Sequence, residues 1–220
     1  MATVTGDVLG HSQVGVHVSI IGDVLFHPLS IDEECEELLK STFDLEMVPF
    51  SIGGSTLLGS LIRGNKNGIA VADIATEKDL DRLTSFGEVV IMESGVNAAG
   101  NLIACNNHGA VVGMTIPGPG CDLISEILGV PSARVRISGQ DTVGSALVAN
   151  DKGVLAHPDI SETEASVVSE ALGVPLMVGT VCFGSPYVGA GCITSNDSVL
   201  AGTGTTGPEL NRIEDALGLI

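Results

Sequence analysis

Short apolar runs broken by polar turns repeat along the whole chain. Each begins at a Gly followed by a small or polar residue and then an apolar stretch. These anchors are Gly15, Gly59, Gly100, Gly144 and Gly189, spaced 44, 41, 44 and 45 residues apart. A turn ends nine residues after each of the last four: Asn65-Lys-Asn-Gly68, Asn106-Asn-His-Gly109, Asn150-Asp-Lys-Gly153 and the degenerate Ser195-Asn-Asp-Ser198. Asn-Gly and similar turns offer the positive φ that a tight hairpin needs, so each anchor predicts strand–turn–strand. The first copy is shortened, with Gly22 seven residues after its anchor.

Eight residues beyond the turns stand Ser30, Thr76, Pro117, Ser161 and Thr206. Four of these read as helix N-caps with an acid three positions later: Ser30/Glu33, Thr76/Asp79, Ser161/Glu164 and Thr206/Glu209. Apolar residues then return at helical spacing, as at Leu210, Ile213, Ala216 and Leu217. Gly87, Gly129, Gly173 and Gly218 take the place of C-terminal helix stops. Apolar strands are expected at 45–50, 89–92, 135–137 and 174–178. The chain therefore reads as one domain, 1–220, of five α/β repeats. The fifth repeat has only Leu219 and Ile220 after its stop, so its last strand is expected from Ala2–Val8, closing a ring without open edges.

Composition narrows the function. The 220 residues carry 9 Lys+Arg against 27 Asp+Glu, a formal charge of −18, with five Phe, one Tyr and no Trp. That balance argues against phosphate-driven nucleic-acid binding and leaves few platforms for base stacking. It fits a solvated acidic surface or a basic protein partner. No apolar run is long enough for a membrane span, and the first residues lack the basic and apolar regions of a signal peptide. Five irregularly spaced Cys without C-x-x-C argue against a disulfide framework or zinc site and for a cytoplasmic setting.

Several segments together resemble the archaeal translation initiation factor 6 family. They are the C-terminal run from Thr205 to Ile220, Gly53-Gly-Ser-Thr-Leu-Leu-Gly-Ser60, Ala99-Gly-Asn-Leu-Ile103 and Thr142-Val-Gly-Ser-Ala146. The resemblance covers the whole chain. It implies a pentein fold, a five-fold pseudosymmetric α/β propeller ring, here closed by the N-terminal strand. It also implies a monomer that binds the large (50S) ribosomal subunit and prevents association with the small (30S) subunit, with a role in large-subunit biogenesis. No cofactor, metal or catalysis is implied. The chain departs from the family pattern in its short first turn, in Pro117-Gly-Pro-Gly120 at the third cap, and in having few basic residues after the last anchors.

The ribosome-binding candidates are the polar residues at anchors and turns that match the family: Ser60, Asn65, Lys66, Asn101, Asn106 and Ser145. Five-fold symmetry would gather them around the ring. The resemblance singles out Asn101 and Lys66 for contact with a ribosomal protein near the sarcin–ricin loop. Little direct rRNA contact is expected at this net charge. The open alternative is that Asn and Gly at these places only form turns.

Two rival chemistries remain. Gly202-Thr-Gly204-Thr-Thr-Gly207 has the spacing of a dinucleotide fingerprint, but only 13 residues follow it, so it reads as the turn and cap of the fifth repeat. Penteins also include guanidino-modifying enzymes with a Cys nucleophile. Here Cys105 and Cys192 fall in apolar strands and Cys35 in an acidic helix, leaving Cys121 and Cys182 as loop candidates. His27-Pro28 and His157-Pro158 occupy equivalent places, which suits structure better than a single active site.

Overall fold

The computed structural model describes residues 2–93, 95 and 97–220; Met1, Ser94 and Val96 lie outside them. The chain starts with β1 (Ala2–Gly6). Five similar passages follow, each a four-residue helix carrying the anchor Gly, then strand, strand and helix, with a further strand after the helix in the first four. The first comprises α1 (Val14–His17), β2 (Ser19–Ile21), β3 (Val24–Pro28), α2 (Glu33–Thr42) and β4 (Glu46–Phe50). The second runs α3 (Leu58–Leu61), β5 (Ile62–Gly64), β6 (Gly68–Ala72), α4 (Glu77–Leu83) and β7 (Glu88–Met92). The third is α5 (Ala99–Leu102), β8 (Ile103–Cys105), β9 (Ala110–Gly113), α6 (Gly118–Leu128) and β10 (Ser132–Val135). The fourth is α7 (Val143–Ala146), β11 (Leu147–Ala149), β12 (Val154–Ala156), α8 (Glu162–Leu172) and β13 (Leu176–Val178). The fifth is α9 (Val188–Gly191), β14 (Cys192–Thr194), β15 (Ser198–Gly202) and α10 (Gly207–Ala216). The four-residue helices were not read from the sequence, because one turn leaves no 3.6-residue pattern to detect.

The strands form five three-stranded sheets, none closed on itself. In each, a short inner strand runs antiparallel to a buried central strand, and the third strand is parallel to the central one. In the first four sheets the parallel step needs a crossover, supplied by the long helix of the passage. In the last sheet that third strand is β1, paired from Ala2↔Ser198 to Gly6↔Gly202. The N-terminal segment thus joins the fifth sheet as the repeat count requires.

Five apolar clusters hold the sheets together, and each draws on two neighbouring passages. One joins Ala70, Val90 and Met92 to Leu102, Val112 and Ile124. Another joins Leu25 and Leu39 of the first passage to Ile193 and Leu200 of the fifth. Each fully buried Leu or Ile contributes about 1.5–3 kcal/mol. Neighbouring repeats therefore stabilise one another.

The capping boxes at Thr76, Ser161 and Thr206 form as expected. Their acids also reach outside the helix. Asp79 accepts from Gly53 N–H (2.9 Å), Glu164 from the backbone of Ser138 and Gly139, and Glu209 from Phe183 N–H (3.2 Å) and Gly184 N–H (2.8 Å). Each acid so ties the start of its helix to the loop before its own anchor.

Four local expectations need correction. The cap of α2 is Asp32, whose Oδ1 accepts from Cys35 N–H (2.8 Å), not Ser30; Asp caps at least as well as Ser and sits where the helical burial begins. The third parallel strand is Ser132–Val135 rather than 135–137, because the register with β9 starts at Ser132↔Ala110. Helix α4 stops at Leu83 with Thr84 as its cap, short of Gly87, whereas Gly129 and Gly173 do cap their helices at positive φ. Cys121 lies buried in α6, not in a loop.

Candidate functional site

The anchors form one polar set. A Cβ on Gly100 would fall inside contact of the Gly59 carbonyl oxygen. The same holds for Gly59 against Gly15, Gly15 against Gly189, Gly189 against Gly144, and Gly144 against Gly100. Glycine is required here because the short helices approach backbone to backbone. The residues just after the anchors include Ser60, Asn101 and Ser145. Ser60 is buried, while Asn101 and Ser145 are half-buried and joined by a bond from Ser145 Oγ to Asn101 Oδ1 (3.2 Å).

The turns form the second set, and they close differently from the expectation. Among the described residues no turn position from 65–68, 106–109 or 150–153 has positive φ; only Gly22 of the shortened first copy does. The Asn side chain does the work instead. Asn106 Oδ1 accepts from His108 N–H and Gly109 N–H (both 2.9 Å), closing its own turn. Its Nδ2 donates to Asn150 O in the next turn and to Leu172 O at the end of α8 (both 3.0 Å). Asn65 and Asn150 repeat this with Asn106 O and Leu128 O, and with Ser195 O and Leu217 O. All four hydrogen-bonding positions of the amide are used, and the terminal carbonyls of α6, α8 and α10 gain donors.

Of the candidates at this end, Asn65 and Asn106 are buried and Lys66 is exposed. Around them lies an open depression of about 870 Å³ whose lining includes Asp23, Asp44, Asp151, Asp197 and Lys40. Asp151 binds Asn107 through both oxygens (2.8 and 2.7 Å) and accepts from Asn196 (2.8 Å). Burial would raise its pKa, but these bonds outweigh that and lower it.

The structure therefore brings Asn101 and Ser145 together, and Asn65 with Asn106, but keeps the two sets apart. A three-residue inner strand separates anchor from turn, roughly 10 Å at 3.3 Å per residue. Symmetry equivalence gathers residues around one end, not residues of different repeat positions.

Cys35, Cys105, Cys182 and Cys192 are poor nucleophiles. Burial pushes Cys105 up to about 11, and it also raises Cys35, Cys182 and Cys192. Catalysis needs the opposite shift. No Cys Sγ bonds a His ring among the described residues; the partners are backbone carbonyls, Ser132 and Thr205. His27 and His157 are both buried, with Nδ1 engaged by Pro28 O and Asp159 N–H. The glycine-rich run ends β15 and opens α10 through the Thr206 cap. No cluster of His, Cys, Asp or Glu fit for a metal ion, and no helix long and apolar enough to cross a membrane, occurs among the described residues.

The eIF-6 family model matches residues 3–216. Translation initiation factor 6 of Natronomonas pharaonis is 46% identical over 213 residues, covering 96% of both chains. The same-named protein of Halorubrum lacusprofundi is 45% identical over 213 residues, again 96% of each, and that of Methanospirillum hungatei 34% over 211, 96% of each. The mixed α/β architecture with its five sheets fits that match. The chain belongs to the eIF-6 family, a family of translation initiation factors and not of enzymes.

Proposed function

We propose that this protein binds the large ribosomal subunit and keeps the small subunit from joining it, acting in the cytoplasm as a monomer during initiation and large-subunit biogenesis. The observation that carries the reading is the family match across residues 3–216. The architecture is read as one domain of pentein type. In it α1, α3, α5, α7 and α9 pack in succession and α9 returns to α1, while β1 completes the last sheet. Such a ring is rigid and wide, and works by occupying a surface without chemical change.

The contact is assigned to the anchor end through Asn101 and Ser145, with Lys66 as a separate contact at the turn end. Ser60, Asn65 and Asn106 support these surfaces from inside. A net charge of −18 opposes rRNA and favours a basic ribosomal protein, near the sarcin–ricin loop by resemblance.

Sedimentation of the purified protein with separated subunits tests the reading. It should pellet with large subunits only and lower the yield of joined ribosomes. Failure to pellet, or equal pelleting with small subunits, would overturn it.

A further inference from the structure

A central chamber of about 50 Å³ is lined by the inner strands of all five sheets. The middle residue of each strand reaches it: Ile20, Arg63, Ala104, Val148 and Ile193. Four are aliphatic, as a repeated inward position demands. The fifth is a guanidinium.

Among the described residues Arg63 has no carboxylate partner. The ion pairs among the described residues are Lys40–Glu36, Arg136–Asp141 and Lys152–Asp197. Its Nη2 donates to Gly100 O (3.1 Å) and, at the limit, to Gly59 O (3.4 Å), while the buried Nε has no partner. The Cys105 thiol beside it is neutral, held up at about 11 by burial. The side chain keeps some accessible area, yet burial lowers its pKa; lining a chamber that opens to the depression accounts for both. Two carbonyl dipoles do not match a full charge, and buried charges are as a rule paired.

We propose that this chamber is a small-anion site in which Arg63 holds one halide ion, chloride in the cell. The volume takes a few species the size of water, each of which needs about 10–15 Å³ of such space. That admits a monoatomic anion and excludes a nucleotide or a peptide. Unused guanidinium N–H groups supply the donors, and the aliphatic walls suit a weakly hydrated ion. Entry runs from the open depression, which shares Ile20, Gly64, Cys105, Ala149 and Thr194 with the chamber. The acids on that rim oppose entry, so occupancy should climb at high salt and not at trace levels. The site is independent of ribosome binding.

Bromide is the probe. Crystals of the full chain soaked in sodium bromide should show an anomalous peak within hydrogen-bond reach of the Arg63 guanidinium, absent from identically soaked Arg63→Met crystals. In parallel, the melting temperature should be several degrees higher in potassium chloride than in potassium glutamate of equal ionic strength. Arg63→Met should erase that difference. Wild-type crystals without the peak, showing water alone, would overturn the proposal. So would a peak that persists in Arg63→Met, an adventitious ion only, or an unchanged chloride–glutamate difference. Should Arg63→Met not fold, the wild-type soak still decides.

Discussion

Ser145 Oγ donates to Asn101 Oδ1 at 3.2 Å, linking the residues that directly follow two successive anchor glycines. The bond fixes the Asn101 amide, while within the described residues its Nδ2 donors stay unused. A preset, half-buried amide of this kind is suited to a partner's backbone. Asn101→Ala should weaken large-subunit pelleting tenfold to hundredfold, for about 1–3 kcal/mol of unpaired partner groups. Its stability should fall by only about 1 kcal/mol. Ser145→Ala loses the same internal bond and a smaller contact but keeps the Asn101 amide, so it should weaken pelleting less than Asn101→Ala. Equal pelleting defects in both variants would show that the bond, not the amide, matters.

Asn106→Ala strikes the turn network. Four hydrogen bonds vanish and the buried Leu172 carbonyl loses its side-chain donor. A loss of about 3 kcal/mol is expected in urea unfolding. A loss below about 0.5 kcal/mol would mean the turns close without the side chain.

Glu209 sets an acid limit. Burial alone would raise its pKa, but bonds from Thr206, Thr180 and Gly184 outweigh that and hold it at about 2. A depressed folded pKa means its stabilisation is fully present above the unfolded value near 4.5 and is lost as pH falls from there towards 2. The contribution is on the order of 3 kcal/mol. Glu209→Gln should destabilise the protein at pH 7 and flatten the melting curve across that acid window. A variant with the wild-type slope below pH 4.5 would assign the acid transition elsewhere.

Deleting residues 2–6 removes β1 from its five-residue pairing with β15. The exposed ladder and lost packing should cost more than about 2 kcal/mol and promote aggregation through the bared edge. Melting within a degree or two of the full chain would show that β15 does not need this partner.

Salt should stabilise the fold generally. The melting temperature is expected to rise between roughly 10 mM and 1 M potassium glutamate, as the Debye length falls from about 30 to 3 Å and screens the excess acids. A flat curve would mean the carboxylates are compensated locally.

The repeat, the alternation of strands with long helices and three of the four expected helix caps were legible in sequence. Within each copy the signals lie within about a dozen positions of one another, and the copies recur at 41 to 45 residues. Even the loan of the N-terminal strand to the fifth sheet followed from counting what each repeat lacks, read as Ala2–Val8 where the pairing covers Ala2–Gly6. The turns were located correctly for an incomplete reason: Asn-x-x-Gly signals a turn, but only contacts to carbonyls some 40 and 60 residues away explain why Asn65, Asn106 and Asn150 are buried.

The sequence by itself determined the five-fold order of elements and the family, because periodicity and local hydrogen bonding are written in neighbouring residues. Only the tertiary structure decided that Asn101 and Asn106, five positions apart, belong to opposite ends of one strand. It also turned each N3 acid to a loop some 26 residues upstream. And it alone placed Arg63, one polar residue in an otherwise ordinary strand, among the inner strands of all five sheets. Which side chains share a space depends on how separate repeats pack, and that is set by backbone close approaches such as Gly59 against Gly100, not by the local pattern around either glycine.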